Sequence, residues 1–492
     1  ADSAGVDGST TDSAGAPIGS TAFASVASTA IPGLAEGITG LCEATNHCLV
    51  GNFAASETVL ITADDQPSVD RDSDKHNLAE APKNQREAYS RPDAAKWKEA
   101  ERVEMETLLS KRTFEWVDDS ERGRQRALPC RWVYALKTDG RGNITRYKAR
   151  LVARGDIQPS NTYSETSSPT AKTAVARMLM ALGTKRGDYI SAFDIKAAFV
   201  SALIDCELYI SLPEGYQAPP GKVARLVHAL YGTKQASRLF AQTLRDWMVA
   251  YGFTIIDDDE TLFLFQDGND YLCCSTYVDD AIALHSSPEI FDKFIRALAE
   301  RFELSAKGQL TLYCGATIEY DREAGTLQLG QEQYVRELLQ RFQMTGCKPV
   351  STPLPYDGRV YSAKPSELID EEQRRLYMQL IGSLQWVANY TRPDIAFAVN
   401  QLSRFTTAPG KMHVYYARHV LRYLAGTVNQ GIGYRRDASP QMTHMPANAY
   451  PPNYPILDGY CDADHAGDEE TRISVSGILL YMSGGPIHWL SR

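Results

Sequence analysis

The chain has 492 residues, 43% of them hydrophobic, enough for two to four domains with a sizeable core. Its net charge of −10 argues against a generally basic protein that coats nucleic acid, and its nine cysteines include no C-x-x-C pair, which argues against zinc. No run of about 18 apolar residues occurs, so no membrane span is expected.

Residues 1 to about 90 are rich in Ala, Ser, Gly, Thr and Asp and read as a disordered leader or linker. Within it, Thr21–Gly40 contains Glu36 and lacks a basic flank, so it is a poor signal peptide. Cys42, His47 and Cys48 are close together without a zinc spacing, and the cysteines read as free thiols in a reducing compartment. From Asp93 to Lys111 there is no Gly or Pro, which predicts a helix with Trp97 and Leu108 on its buried side. From Arg131 the pattern alternates, turns at T-D-G-R-G-N and returns through I-T-R-Y-K-A-R-L-V-A-R, as a hairpin does. Ten cationic residues fall between Arg122 and Arg154 against a single acid, Asp139. Such a patch neutralises phosphates or forms a solvated basic face.

Further helices are predicted at Thr173–Leu182, Ala197–Leu203, Ser237–Gly252, Pro288–Phe302, Tyr334–Phe342 and Val414–Leu424, and more than one between Glu371 and Phe405. Strands are predicted at Tyr189–Ile195, Glu207–Leu212, Leu310–Tyr320, Thr326–Leu329 and within Ile456–Arg492. A Pro-rich stretch, K-P-V-S-T-P-L-P, marks a boundary near residue 350, and P-P-N-Y-P marks a later loop.

The chemistry centres on Tyr271–His285, two apolar strand-like runs flanking Asp279 and Asp280, with Cys273 and Cys274 expected on opposite faces. Two adjacent carboxylates repel each other, and a divalent cation removes that repulsion; an ordinary Asp-rich turn is the alternative. Asp194 ends an earlier strand, 85 positions before Asp279. If the two strands are neighbours in one antiparallel sheet, the three carboxylates can hold two Mg²⁺ ions roughly 3.5–4 Å apart. The basic hairpin then supplies donors for a triphosphate.

Eight blocks carry a resemblance: R-Y-K-A-R-L-V-A-R-G (146–155), F-D-I-K-A-A-F (193–199), L-Y-I-S-L-P-E-G-Y (208–216), L-Y-G-T-K-Q-A-S-R (230–238), Y-V-D-D (277–280), G-C-K-P-V-S-T-P-L (346–354), I-G-S-L-Q-W-V-A-N-Y-T-R-P-D-I-A-F-A-V (381–399) and G-Y-C-D-A-D-H-A-G-D (459–468). In this order they resemble the reverse transcriptase of Ty1/copia-type LTR retrotransposons, from about Trp97 to the last residue. The resemblance implies an α+β right-hand polymerase with fingers, palm and thumb and an antiparallel palm sheet packed on helices. It divides the chain into a leader (1–90), fingers and palm (91–345), thumb and connection helices (346–450) and an incomplete ribonuclease H-like start (451–492).

It also implies catalytic, metal-binding roles for Asp194, Asp279 and Asp280, with two Mg²⁺ (or Mn²⁺) as cofactor. Lys148 and Arg150 fall in the block that contacts nucleotide phosphates, and Tyr231, Gly232 and Lys234 on the loop lining the nucleotide pocket. Phe199 matches the bulky residue that excludes a ribose 2′-hydroxyl; a core Phe is the alternative. Leu312–Gly315 lies where a primer-gripping hairpin is expected. The pocket loop departs from the usual G-L-K-Q-A-P-R at Thr233 and Ser237. Asp462 matches the first carboxylate of a ribonuclease H site, while Asp464 and Asp468 read as solvated loop residues. The site's other carboxylates are missing, so no ribonuclease H activity is expected from this chain alone, and its strands are expected to pack poorly and expose an edge.

The implied function is RNA-directed DNA synthesis, with RNA template, DNA primer and dNTPs as partners, integrase and other Pol or Gag products as further ones, and no membrane. The family works in cytoplasmic virus-like particles, with the nucleus as a second location. The alternatives are a catalytically inactive remnant that at most binds primer–template and, against Phe199 and the block order, an RNA-dependent RNA polymerase.

Overall fold

The computed structural model describes residues 80–138, 144–256, 259–355, 360–438, 457–468 and 470–492. Cys42, His47, Cys48, the T-D-G-R-G-N turn beyond Thr138 and the P-P-N-Y-P loop lie outside the described residues, as does the leader up to residue 79. The remainder of the expected leader is ordered: α1 (Gln85–Ser90) is capped by the Asn84 side chain and buries Ala88. α2 (Ala94–Ser110) follows, with Trp97 and Leu108 buried as its spacing requires.

A mixed five-stranded sheet comes next, in the order β1 (Phe114–Asp118), β6 (Lys222–Leu226), β5 (Tyr209–Ser211), β2 (Leu128–Thr138), β3 (Ile144–Ala153). Its β2–β3 hairpin is the expected basic one, and Trp97 of α2 packs edge-on against Tyr134 of β2 and Tyr147 of β3. The one parallel pair, β2 with β5, joins segments far apart in sequence.

The central sheet is antiparallel throughout. Its order is β11 (Leu304–Gln309), β4 (Tyr189–Ile195), β10 (Asp280–His285), β9 (Asp270–Tyr277), β8 (Asp259–Asp267), β7 (Thr254–Ile256). Both faces are covered, which is why β9 and β10 are apolar almost without alternation. Cys274, Phe193 and Ala281 face the helices α4 (Ala236–Tyr251) and α5 (Pro288–Arg301). Cys273, Ala192 and Ile282 face α3 (Thr173–Arg186) and the rest of that core, so the adjacent cysteines do part to opposite faces.

Two expected elements differ. Ala197–Leu203 is not a helix but a single tight turn, Phe199–Ser201, because Ala197 sits at φ +50° and breaks the right-handed run. Leu310–Tyr320 is split by a turn at Cys314 (φ +46°) and Gly315 (φ +79°) into β12 (Leu312–Tyr313) and β13 (Ala316–Asp321). With β14 (Thr326–Gly330) and β15 (Ile432–Arg435) these make a four-stranded sheet.

Val335, Leu338 and Leu339 of α6 (Glu332–Arg341) share a core with α7 (Glu371–Tyr390), α8 (Ala396–Ser403) and α9 (Lys411–Gly426). The C-terminal strands β16 (Leu457–Ala463), β17 (Ser476–Met482) and β18 (Gly485–Ser491) form an antiparallel sheet. The expectation that they pack poorly is corrected for β17 and β18. Leu480, Met482, Ile487 and Trp489 are buried in the same core as α3, and the Trp489 indole donates to the Ala388 carbonyl. β16, half-buried at one end and exposed beyond, is an edge strand with no partner on its outer side among the described residues.

Candidate active site

The β4–β10 register decides the geometry. Asp194 stands directly opposite Asp280, and such cross-strand partners have Cβ atoms about 5 Å apart on one face. The same row continues to Tyr277 on one side and Ser305 on the other. Asp279 is one residue away, and its carbonyl accepts the Ile195 N–H at 2.9 Å, which ties the hairpin tip to the strand carrying Asp194. The tip itself, Val278–Asp279, is a two-residue loop with Val278 at φ +55°. A β-branched residue in that region is strained by about 1–3 kcal/mol, so the surrounding sheet enforces the turn. All three carboxylate residues are half-buried.

Among the described residues, no three or more His, Cys, Asp or Glu side chains are gathered closely enough to hold a metal. The fold therefore brings the three aspartates to one end of one sheet without closing a cage. Their hard oxygen donors, half-open to solvent, fit a Mg²⁺ that keeps several waters and takes ligands from its substrate.

Three of the predicted nucleotide residues, Arg150, Tyr231 and Phe199, meet one another, and Tyr231 feels the charge of Asp279 and Asp194. Arg150 and Lys148, two apart on β3, point to one side of the hairpin. The Arg150 guanidinium lies 4.9 Å from the centre of the Tyr231 ring, and that ring is 5.0 Å from Phe199. Burial pushes the Tyr231 phenol up to about 12, with Asp279 and Asp194 adding to the rise and Arg150 opposing it. Tyr231 thus sits between the basic strand and the aspartates. Burial also lowers the Lys148 ammonium from its ordinary value, and Arg150, Lys137 and Arg146 lower it further. A lysine so placed gains from an incoming anion. Phe199 is half-buried and also faces Phe240, so it contributes to the core and to the pocket at once.

Gly232 is required by space as well as by φ +87°. A Cβ there would lie 2.2 Å from the Ala153 carbonyl oxygen. Lys234 is exposed, and its backbone N–H donates to Gln158. The two departures in this loop carry hydroxyls that are used: Thr233 donates to the Leu230 carbonyl, and Ser237 to Ser168. At the Leu312–Gly315 turn, the Tyr390 hydroxyl of α7 donates to the Tyr313 carbonyl at 3.0 Å. Burial raises the phenols of Tyr313 and Tyr390 well above the usual range, and Asp280 adds to both. The turn therefore approaches the aspartate row.

Several neighbours were not legible in the sequence. Glu104 of α2 faces Arg150, Lys148 and Arg146; burial raises its carboxyl and those cations pull it back. Gln158 and Gln235, both buried, bond to each other across 77 positions. Gln235 lies inside a quoted block, but nothing in the sequence pointed to Gln158.

The C-terminal carboxylates lie apart in kind. Asp462 is exposed on β16, and its side chain accepts the N–H of Ala463. Asp464 accepts the Val475 N–H. Asp468 accepts the N–H groups of Thr471 and Glu470 and pairs with Arg404, and these bonds hold its carboxyl well below the usual range.

An antiparallel sheet presenting a cross-strand aspartate pair beside a hairpin Y-V-D-D, faced by a basic strand, defines the class of nucleic-acid polymerases. Residues 111–355 match the family described as reverse transcriptase (RNA-dependent DNA polymerase). The chain's relatives are of the copia type. The chain is 32% identical over 400 residues to the retrovirus-related Pol polyprotein from transposon RE1 of Arabidopsis thaliana, covering 81% of this chain and 26% of that polyprotein. It is 32% identical over 418 residues to that from transposon TNT 1-94 of Nicotiana tabacum, covering 84% and 30%. The transposon Ty1-GR1 Gag-Pol polyprotein of Saccharomyces cerevisiae is 26% identical over 357 residues, covering 68% and 19%. The chain thus spans less than a third of the length of these relatives. A solved foamy viral protease-reverse transcriptase in complex with RNA/DNA hybrid is similar at 13% identity and a TM-score of 0.39, covering 80% of this chain and 43% of that one.

Proposed function

We propose that this chain extends a DNA primer on an RNA template, transferring a nucleotidyl group from a dNTP to the primer 3′-hydroxyl. The observation that carries the reading is the Asp194–Asp280 cross-strand pair with Asp279 beside it, together with Tyr231, whose phenol feels Asp279 and Asp194 and whose ring packs on Arg150 and Phe199. On this reading the central sheet is the palm, the five-stranded sheet with α2 the fingers, and the α6–α9 unit the thumb.

Asp194, Asp279 and Asp280 would hold two Mg²⁺ ions, which supply an acidified 3′-hydroxyl and a stabilised leaving pyrophosphate. Lys148 and Arg150 bind the triphosphate oxygens, where burial and crowded like charge make an anion welcome. Tyr231 carries the sugar against its ring, and Phe199 fills the space a 2′-hydroxyl would need. Gly232 and the Lys234 backbone shape the loop beneath the base. The Leu312–Gly315 turn, fixed by Tyr390, holds the primer end. Integrase and other Pol or Gag products are further partners on this reading.

Primer extension on poly-rA with oligo-dT, dTTP and Mg²⁺ tests the reading. Template-dependent extension is expected, and Asp279→Asn is expected to lower its rate by at least about a thousandfold. Well-folded wild-type protein that binds primer–template without extending it would leave the inactive-remnant reading in its place.

A further inference from the structure

Gln235 is completely buried, and Gln158 nearly so. A primary amide has donors and acceptors that must all be met in such a place. Here they are met by one another and by three separate segments. Gln158 Nε2 donates to Gln235 Oε1 at 3.0 Å and lies 3.1 Å from Thr162 Oγ1. Gln158 Oε1 accepts the Lys234 backbone N–H at 2.9 Å. Gln235 Nε2 reaches the Thr162 carbonyl at 3.2 Å and Asp205 Oδ1 at 3.3 Å. Asp205 is in turn paired with Arg238, whose Nε donates to the Glu165 carbonyl.

The network does not stand alone. Just above it the Ala153 N–H donates to the Tyr231 carbonyl at 2.8 Å, and Gly155 and Gly232 approach until a Cβ on Gly155 would lie 1.9 Å from the Gly232 oxygen. The loop Tyr231–Lys234 is therefore joined at both ends to the segment that directly continues β3. β3 carries Lys148 and Arg150. Without the amide pair, the Lys234 end of the loop would lose its attachment to residues 155–162, while the Tyr231 end would keep its own.

We propose that Gln158 and Gln235 are positioning residues for nucleotide binding: they lock loop 231–234 to the basic strand, so that Tyr231 and the phosphate-binding cations Lys148 and Arg150 keep one spacing. This rests on the assignment of that loop and strand to the nucleotide pocket. The pair touches no substrate and acts through the Lys234 backbone. A pair that only fills the core would affect how much protein folds and not how the folded protein distinguishes dNTP concentrations.

The test uses the full chain in primer extension, with dTTP and primer–template varied separately. Gln158→Met keeps the volume and removes all three hydrogen bonds of the amide. It is expected to raise the dTTP KM about tenfold while the primer–template KM stays within about twofold. Thr162→Val removes only the hydroxyl beside Gln158 and leaves the Lys234 bond in place, so its effect on the dTTP KM should be smaller. This variant also reports if Gln158→Met does not fold. Hydrogen exchange over residues 231–234 should quicken in Gln158→Met with the β4–β10 strands unchanged. Arg150→Ala serves as the pocket control. If it raises the dTTP KM and Gln158→Met lowers kcat alone, or changes nothing, the positioning role is overturned and the pocket stands. If the wild type does not extend, or Arg150→Ala leaves the dTTP KM unchanged, the pocket assignment fails and this inference fails with it.

Discussion

Replacing Arg177 by Met should loosen the C-terminal sheet from the core around α3. Arg177 lies in the middle of α3, only 2% exposed. Its guanidinium donates to the Ile487 carbonyl at 2.7 Å and to the Asn389 and Tyr390 carbonyls at 2.9 Å each, and it lies 4.1 Å from the centre of the Trp489 ring. Charge-assisted bonds are worth about 1.5–3 kcal/mol apiece, so three contribute roughly 6 kcal/mol. Burial opposes this by pushing the guanidinium down to about 10, a cost of roughly 3 kcal/mol. The net is about 3 kcal/mol, and Met, of similar length, leaves three buried carbonyls without their donor. Urea unfolding should show that loss. Hydrogen exchange should show it concentrated in Gly485–Ser491 and in the end of α7. A loss under about 1 kcal/mol, with those strands as protected as in the wild type, would refute the reasoning. Because Tyr390 also fixes the Tyr313 turn, the same variant should weaken primer extension at saturating dTTP.

Other outcomes follow from the site. Phe199→Val should raise ribonucleotide incorporation about tenfold or more relative to dNTPs, since about two to three methylene volumes open beside Tyr231; unchanged discrimination would reduce Phe199 to a core residue. Lys148→Glu and Arg150→Glu should each raise the dTTP KM by about tenfold or more, and an unaltered KM would remove them from the phosphate site. The folded state should lose stability as pH falls from about 6.5 to about 4. Burial, first, and Arg177 depress His488 to about 4, and burial also depresses His285, His413 and His419. Below the ordinary histidine range the unfolded chain binds these protons and the folded chain does not, so stability present at pH 7 is lost through that window. His488→Gln should flatten the lower part of the acid limb of a urea-midpoint versus pH curve; an unchanged limb would exclude His488 as its source.

The sequence by itself determined most elements and the order of the motifs. Period-2 and period-3.6 patterns are local, so the basic hairpin, β4 and the helices at Ala94–Ser110 and Lys411–Gly426 could be read within a residue or three of their ends. The opposite facing of Cys273 and Cys274 follows from the same alternation. Periodicity failed where one residue's backbone overrules its neighbours, as at Ala197 and Cys314, because nothing in a non-glycine side chain announces a positive φ. What only the tertiary structure decided is which residues meet. The strand register sets Asp194 opposite Asp280 rather than one residue off, where it would face the other side of the sheet. Packing on both sides buries nearly the whole of α3, Arg177 included, and the carbonyls that satisfy that arginine come from residues 389, 390 and 487. The Gln158–Gln235 pair is of the same kind: each amide is unremarkable in its own stretch of chain, and its partner exists only once folding brings distant segments into one dry interior, where an unmet donor is costly.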